Sequence, residues 1–160
     1  MSGAVAALVI VAAVGAACTG GALFAFSSFV MPALRRLPAA QGVAAMQSIN
    51  VTAVRPAFML PFAGTAVLSI ALIVVALTSL DESYAPWLIV GAVLYLVGVF
   101  GLTMAYHVPR NDALALVEPS AAGAAAAWRD YLAGWVPWNH VRTVASLAAA
   151  VLLTASLQAA

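Results

Sequence analysis

The chain has 160 residues, of which 66% belong to the apolar set AVILMFWYC and 7% are charged. A soluble domain carries about 25% charged residues, so this composition excludes an ordinary soluble domain, a disordered chain and a nucleic-acid binder. Six Arg, no Lys and a formal net charge of +1 give no basic patch for DNA or RNA, and a single Cys rules out an internal disulfide or a multi-cysteine zinc site.

Crossing a membrane takes about 20 consecutive apolar residues, and four stretches are long enough. The first runs from Ala4 to Met31 and is expected to stop at Pro32. It lacks a basic leader and exceeds the about 7–15 apolar residues of a secretory signal, so it reads as a permanent helix. Its small residues recur every four positions, as Ala12, Ala16, Gly20 and as Ala13, Ala17, Gly21, a spacing that lets helices approach closely in lipid.

Next, Ala39 to Val54 is amphipathic at helical spacing. Gln41, Ser48, Thr52 and Arg55 share one stripe, and Val43, Met46, Ala53 and Val54 lie opposite. Such a helix lies in the interface with its apolar side toward lipid or protein. Asn50 falls within the apolar face, so its amide is expected to point into the bundle and either find partners or bind something.

The second span covers Pro56 to Leu80 and the third Pro86 to Val108, ending at Pro109; Thr103, Tyr106 and His107 share its inner end. Asn111 or Asp112 suits the cap of a short helix over Ala113 to Val117. From Ala121 to Trp135, the residues Trp128, Tyr131, Leu132 and Trp135 share a face, as interface anchors or as a wall for an aromatic ligand. The fourth span covers Pro137 to Leu157; Pro56 and Pro137 both suit a first helical position, where a missing N–H costs nothing.

These elements predict an all-α integral membrane four-helix bundle in one domain over residues 1–160, with two short interfacial helices on the cytoplasmic side. All six Arg (35, 36, 55, 110, 129 and 142) fall on one side, and only Asp81 and Glu82 charge the loop on the other. The positive-inside rule then puts the Arg side in the cytoplasm and both termini outside, with a bacterial inner membrane the expected location. Each half also reads span, Pro, Arg, amphipathic segment, Pro, span, as in a parallel repeat.

The start of the fourth span is the most informative stretch. Asn139, Arg142, Thr143 and Ser146 stand at i, i+3, i+4 and i+7 and form one polar stripe, flanked by His140. Charged and polar side chains inside a span mark a functional site facing the bundle interior, although a lone Arg can also snorkel. A helix N-terminus favours a neutral His140, able to act as a base, while Arg142 and Asn139 favour an oxyanion. His107, His140 and Asp112 together hold the two-His, one-carboxylate set of non-haem iron sites, but without HxxxH or ExxH spacing; a metal or haem is the lesser alternative.

The chain resembles the anthrone oxygenase-like family of small four-helix membrane proteins. The resemblance rests on Phe24-Ala25-Phe26-Ser27-Ser28-Phe29-Val30-Met31-Pro32-Ala33-Leu34, on Met46-Gln47-Ser48-Ile49-Asn50, on Val108-Pro109-Arg110-Asn111-Asp112-Ala113-Leu114 and above all on the Trp-x-x-Trp-Asn-His-x-Arg-Thr pattern from Trp135 to Thr143. It implies an O₂-dependent oxygenase of anthrone- or hydroquinone-like compounds with no resident cofactor, O₂ being a co-substrate. The expected roles are His140 as base, Arg142 and Asn139 as oxyanion donors, Asn50, Asn111 and Asp112 as orienting groups, and Trp135 and Trp138 as walls, with His107 and Thr143 also on the substrate. The expected ligand is a small hydrophobic aromatic or lipid-like molecule in a lipid surround, and a homo-oligomer stays open. A non-enzymatic lipid- or quinone-binding protein, or a subunit of a larger membrane complex, is the alternative reading.

Overall fold

The structure is a computed structural model that describes residues 1–160. Four helices are long and apolar enough to cross a membrane: α1 (Gly3–Arg35), α3 (Pro56–Leu77), α4 (Ala85–Ala115) and α5 (Ala124–Gln158). One further helix, α2 (Ala39–Ala53), connects α1 to α3. Helix α1 packs on α5 and α3, and α4 packs on the same two, so the four long helices form a closed all-α bundle. The Ser83 hydroxyl donates to the Ala159 carbonyl, tying the α3–α4 loop to the end of α5 at the Arg-poor end.

The core is layered along the bundle axis. Val9, Leu72, Leu88 and Leu153 fill the Arg-poor end. Leu23, Phe62, Tyr95 and Val99 fill the middle, and Met31, Val43, Met46, Trp128 and Trp135 fill the Arg-rich end. Val11, Val67, Val74, Val97, Val144 and Val151 face outward, as apolar residues do when lipid replaces water around a protein. Of the two small-residue rows on α1, Ala12, Ala16 and Gly20 are buried, whereas Ala17 and Gly21 are exposed. Close approach is tightest at Gly15, where an added Cβ would collide with the Thr65 hydroxyl.

Three of the expected helix ends are overrun. Helix α1 continues past Pro32 to Arg35, α4 past Pro109 to Ala115, and α5 begins at Ala124 rather than Pro137. The second interfacial helix is therefore the first turns of α5 and not a separate element, and Asn111 and Asp112 lie inside α4 instead of capping a new helix. Pro137 lies within regular α-helix, whereas Pro32 and Pro109 each follow a widened turn. Phe26–Val30 in α1 and Thr103–His107 in α4 are π-helical, and each stretch ends two residues before a proline. A proline removes an N–H donor and crowds the preceding turn; a wider π-turn just upstream accommodates both. The same device thus stands at the same place in each half. At 35 residues α5 is about 52 Å long, against about 30 Å of hydrocarbon, so its N-terminal turns stand beyond the membrane core.

Tyr95 ties three helices together in mid-bundle. Its hydroxyl lies 3.0 Å from the Phe62 carbonyl on α3 and 3.1 Å from the Thr19 hydroxyl on α1. Interhelical hydrogen bonds in membranes average about 0.6 kcal/mol and reach ~1.7. Tyr95→Phe is expected to destabilise the bundle within that range, read as a lower midpoint of unfolding in mixed detergent.

Candidate functional site

A polar layer lies between the middle core and the Arg-rich core. Its centre is Arg142, only 5% exposed. Nη1 donates to Thr103 Oγ1 at 2.9 Å and Nη2 to Asn139 Oδ1 at 2.7 Å. Nε is buried with no partner, and the guanidinium carbon lies 5.3 Å from the Trp135 ring centroid. Neither hydrogen-bonded partner carries a negative charge. A buried cation held by neutral acceptors is costly, and the cost falls when an anion arrives.

The acceptors are fixed by their own hydrogen bonds. Asn139 Nδ2 donates to the Leu23 carbonyl at 2.9 Å and to Ser27 Oγ at 2.8 Å, so its carbonyl oxygen must face Arg142. Thr103 donates to the Val99 carbonyl at 2.6 Å and therefore accepts from Arg142. Thr143 donates to the Asn139 carbonyl at 2.8 Å and sits 3.4 Å from Ser27 Oγ. Only two of the five guanidinium N–H groups are engaged this way.

Beside this centre stands His107, buried against Trp135 with the two rings edge to face at 5.2 Å. Its Nε2 lies 3.3 Å from the Trp135 carbonyl and its Nδ1 3.5 Å from the Leu102 carbonyl. A ladder of rings runs from Trp135 toward the outside of the Arg-rich end, with Trp135–Tyr131 centroids 6.2 Å apart and Tyr131–Trp128 centroids 5.7 Å apart. Asn111 Oδ1 accepts from Tyr131 at 2.8 Å and from Trp135 Nε1 at 3.2 Å. Asn50 comes in from α2 near the Tyr131 hydroxyl, with its Nδ2 buried and without a partner.

The layer therefore gathers Arg142, Asn139, Thr143, His107, Asn111, Asn50 and Trp135. It does not gather the remaining expected residues. His140 is exposed because one residue along a helix turns the side chain by about 100°, out of the Asn139–Arg142–Thr143 stripe and onto the face of Val144, Leu147 and Val151. His140 thus lies outside the layer that was expected to include it, and the imidazole beside Arg142 is that of His107. Asp112 is likewise exposed, one residue and about 100° around α4 from Asn111. Asn139 is not a free oxyanion donor, since both hydrogens of its amide are committed; it positions Arg142. Trp138 is 43% exposed and lies against Tyr106 at 5.2 Å, outside the ladder. Ser27 belongs to the layer although no role was expected of it, and so do Thr103 and Tyr131, which were expected only at the inner end of the third span and on the aromatic face. The signal available for Ser27 and Thr103 was a hydroxyl in the inner turns of an otherwise apolar span. No three His, Cys, Asp or Glu side chains come together in a way that would hold a metal ion.

Fold and site define a class: a four-helix integral membrane protein with a buried, uncompensated guanidinium at the Arg-rich end of its bundle. Residues 55–152, more than half of the chain, match the family described as anthrone oxygenase, and the protein belongs to that family. The matched stretch contains Thr103, His107, Asn111, Trp135, Asn139 and Arg142, while Ser27 and Asn50 precede it. No curated protein and no solved structure matches the chain.

Proposed function

We propose that this protein is an O₂-dependent oxygenase of anthrone- or hydroquinone-like aromatic compounds, working without a resident cofactor at the Arg-rich end of the bundle. In this reading that end faces the cytoplasm of a bacterial inner membrane and both termini lie outside. The observation that carries the proposal is Arg142, buried, uncompensated and aimed by Asn139 and Thr103. Such a cation stabilises a negative oxygen that develops during a reaction far better than a solvated one could.

The chemistry follows from an anthrone's activated ring CH₂. His107 keeps one ring nitrogen on its backbone carbonyl, turns the other from its carbonyl toward the substrate and accepts one proton from that carbon, and the resulting enolate oxygen is held by the free N–H groups of Arg142. The enolate gives electrons to O₂, and a C–O bond forms at the former CH₂ carbon. The peroxide takes a proton and becomes a hydroperoxide. Loss of the remaining C–H proton then breaks the O–O bond, leaving a quinone carbonyl and one water. One anthrone and one O₂ thus give one anthraquinone and one water, and the substrate supplies all the electrons. Trp135 and Tyr131 supply flat, water-excluding walls.

The test is O₂ uptake by the full chain in lipid nanodiscs supplied with anthrone, with anthraquinone followed by absorbance. Equimolar O₂ loss and quinone gain above the empty-nanodisc rate is expected. Uptake no faster than the blank with anthrone and with hydroquinones would overturn the proposal. In the same assay His140→Ala is expected to turn over at the parent rate, because its side chain faces away from the layer; a large loss would return the base to His140.

A further inference from the structure

Outside the polar layer, the Arg-rich end carries a cleft between the last turns of α4 and the first turns of α5. Its volume is about 250 Å³, and its walls include Leu114, Val117 and Ala127, with Tyr131, the outward neighbour of Trp135 in the ring ladder, also lining it. Two charged side chains also line it, Arg110 from α4 and Asp130 from α5. Sites for drug-sized ligands occupy about 300–1,000 Å³, so this one suits a single substituted ring, or one end of a larger flat molecule.

Arg110 is held in place without a carboxylate. Its guanidinium carbon sits 3.7 Å over the Tyr106 ring, and the group passes close to Gly134, where an added Cβ would come within 2.8 Å of Arg110 Nε and 3.2 Å of the Tyr106 hydroxyl. No ion pair closes between Arg110 and Asp130. A fixed multiple donor and an exposed acceptor thus share an apolar cleft.

We infer that this cleft is a docking site for a phenolic aromatic ring, whose hydroxyl donates to the Asp130 carboxylate and accepts from Arg110. A phenol is the group this arrangement suits, since one oxygen offers both a donor and an acceptor on a flat apolar body. A carboxylate ligand would be repelled by Asp130, and an unsubstituted ring would leave both charges without a partner. The inference rests on the oxygenase reading only for its link to turnover: it names a hydroxylated ring as the feature by which the substrate is recognised on its way to Tyr131 and Trp135.

The test is equilibrium binding to the full chain in lipid nanodiscs, read by quenching of tryptophan fluorescence. The probes are 9,10-anthraquinone, 2-hydroxyanthraquinone and 2-methoxyanthraquinone, at a mildly acidic pH where the phenol is neutral. All three are already oxidised, so binding is read apart from turnover. The hydroxy compound is expected to bind about tenfold tighter than the parent, as one hydrogen bond to a charged group allows, with the methoxy compound closer to the parent because it cannot donate. Asp130→Asn and Arg110→Gln should each erase most of that preference and leave parent binding unchanged. Gly134→Ala, which favours the helix but displaces Arg110, should do the same without removing a charge. Equal binding of all three probes, or a preference that survives all three substitutions, would overturn the inference. Preference without O₂ uptake would retain the docking site and refute the oxygenase reading; uptake without preference would do the reverse.

Discussion

Arg142→Gln is expected to lower kcat/KM for anthrone oxidation by about 10²–10³, the loss typical of removing one preorganised oxyanion donor. Glutamine keeps a polar head near Thr103 and Asn139 but carries no charge. The loss should fall on kcat more than on binding of anthraquinone, since the ketone of the product carries no full charge to stabilise. Stability gives the sharper discrimination. A buried cation with only neutral partners costs free energy in the resting protein, so the variant should unfold at a higher midpoint than the parent while being nearly inactive. A residue present for architecture would show the opposite pattern. Arg142→Lys should recover little, because a single ammonium cannot span Thr103 and Asn139 as the planar fork does.

His107→Phe is the second large effect. A positioned general base contributes about 10²–10⁴ in rate, and phenylalanine preserves the edge-to-face contact with Trp135 while removing both nitrogens. The parent should lose activity as the pH falls and its imidazole gains a proton, since only the neutral ring can accept one from carbon. The variant should be slow at every pH and lack that acidic limb. Parent-like turnover by His107→Phe, or an unchanged pH profile, would remove His107 from the chemistry.

How far the sequence goes depends on what each residue's neighbours are. The four spans follow from apolar length alone, because lipid leaves an unpaired backbone no alternative to a helix. The Asn139, Arg142, Thr143 and Ser146 stripe is legible because a 3.6-residue period is a property of the helix itself, and the structure buries all four side chains. The prolines misled because what accommodates them is a backbone geometry that residue type does not reveal. Pro32 and Pro109 read as stops until the π-turns upstream of them are seen, and nothing local in Phe26–Val30 or Thr103–His107 announces a wider turn. His140 misled by adjacency, since a neighbour in sequence points about 100° away on a helix. The commitment of Asn139 to the Leu23 carbonyl and to Ser27 depends on how α1 packs on α5, and no periodicity within α5 contains it.

The packing of α5 also bears on how the chain is made. It is the least hydrophobic of the four long helices, with a mean hydropathy of 1.5 against 2.2 to 2.4 for the others, and the most enclosed by its neighbours. Asn139 finds its partners on α1, at the Leu23 carbonyl and Ser27, and Arg142 finds one of its two on α4, at Thr103, all of which leave the ribosome before α5 does. A guanidinium facing bare lipid has no such partners, whereas one entering between α1 and α4 finds them waiting. The three spans made first thus present the carbonyl and hydroxyl groups that α5 needs, and the charge that equips the site is surrounded by protein and not by lipid.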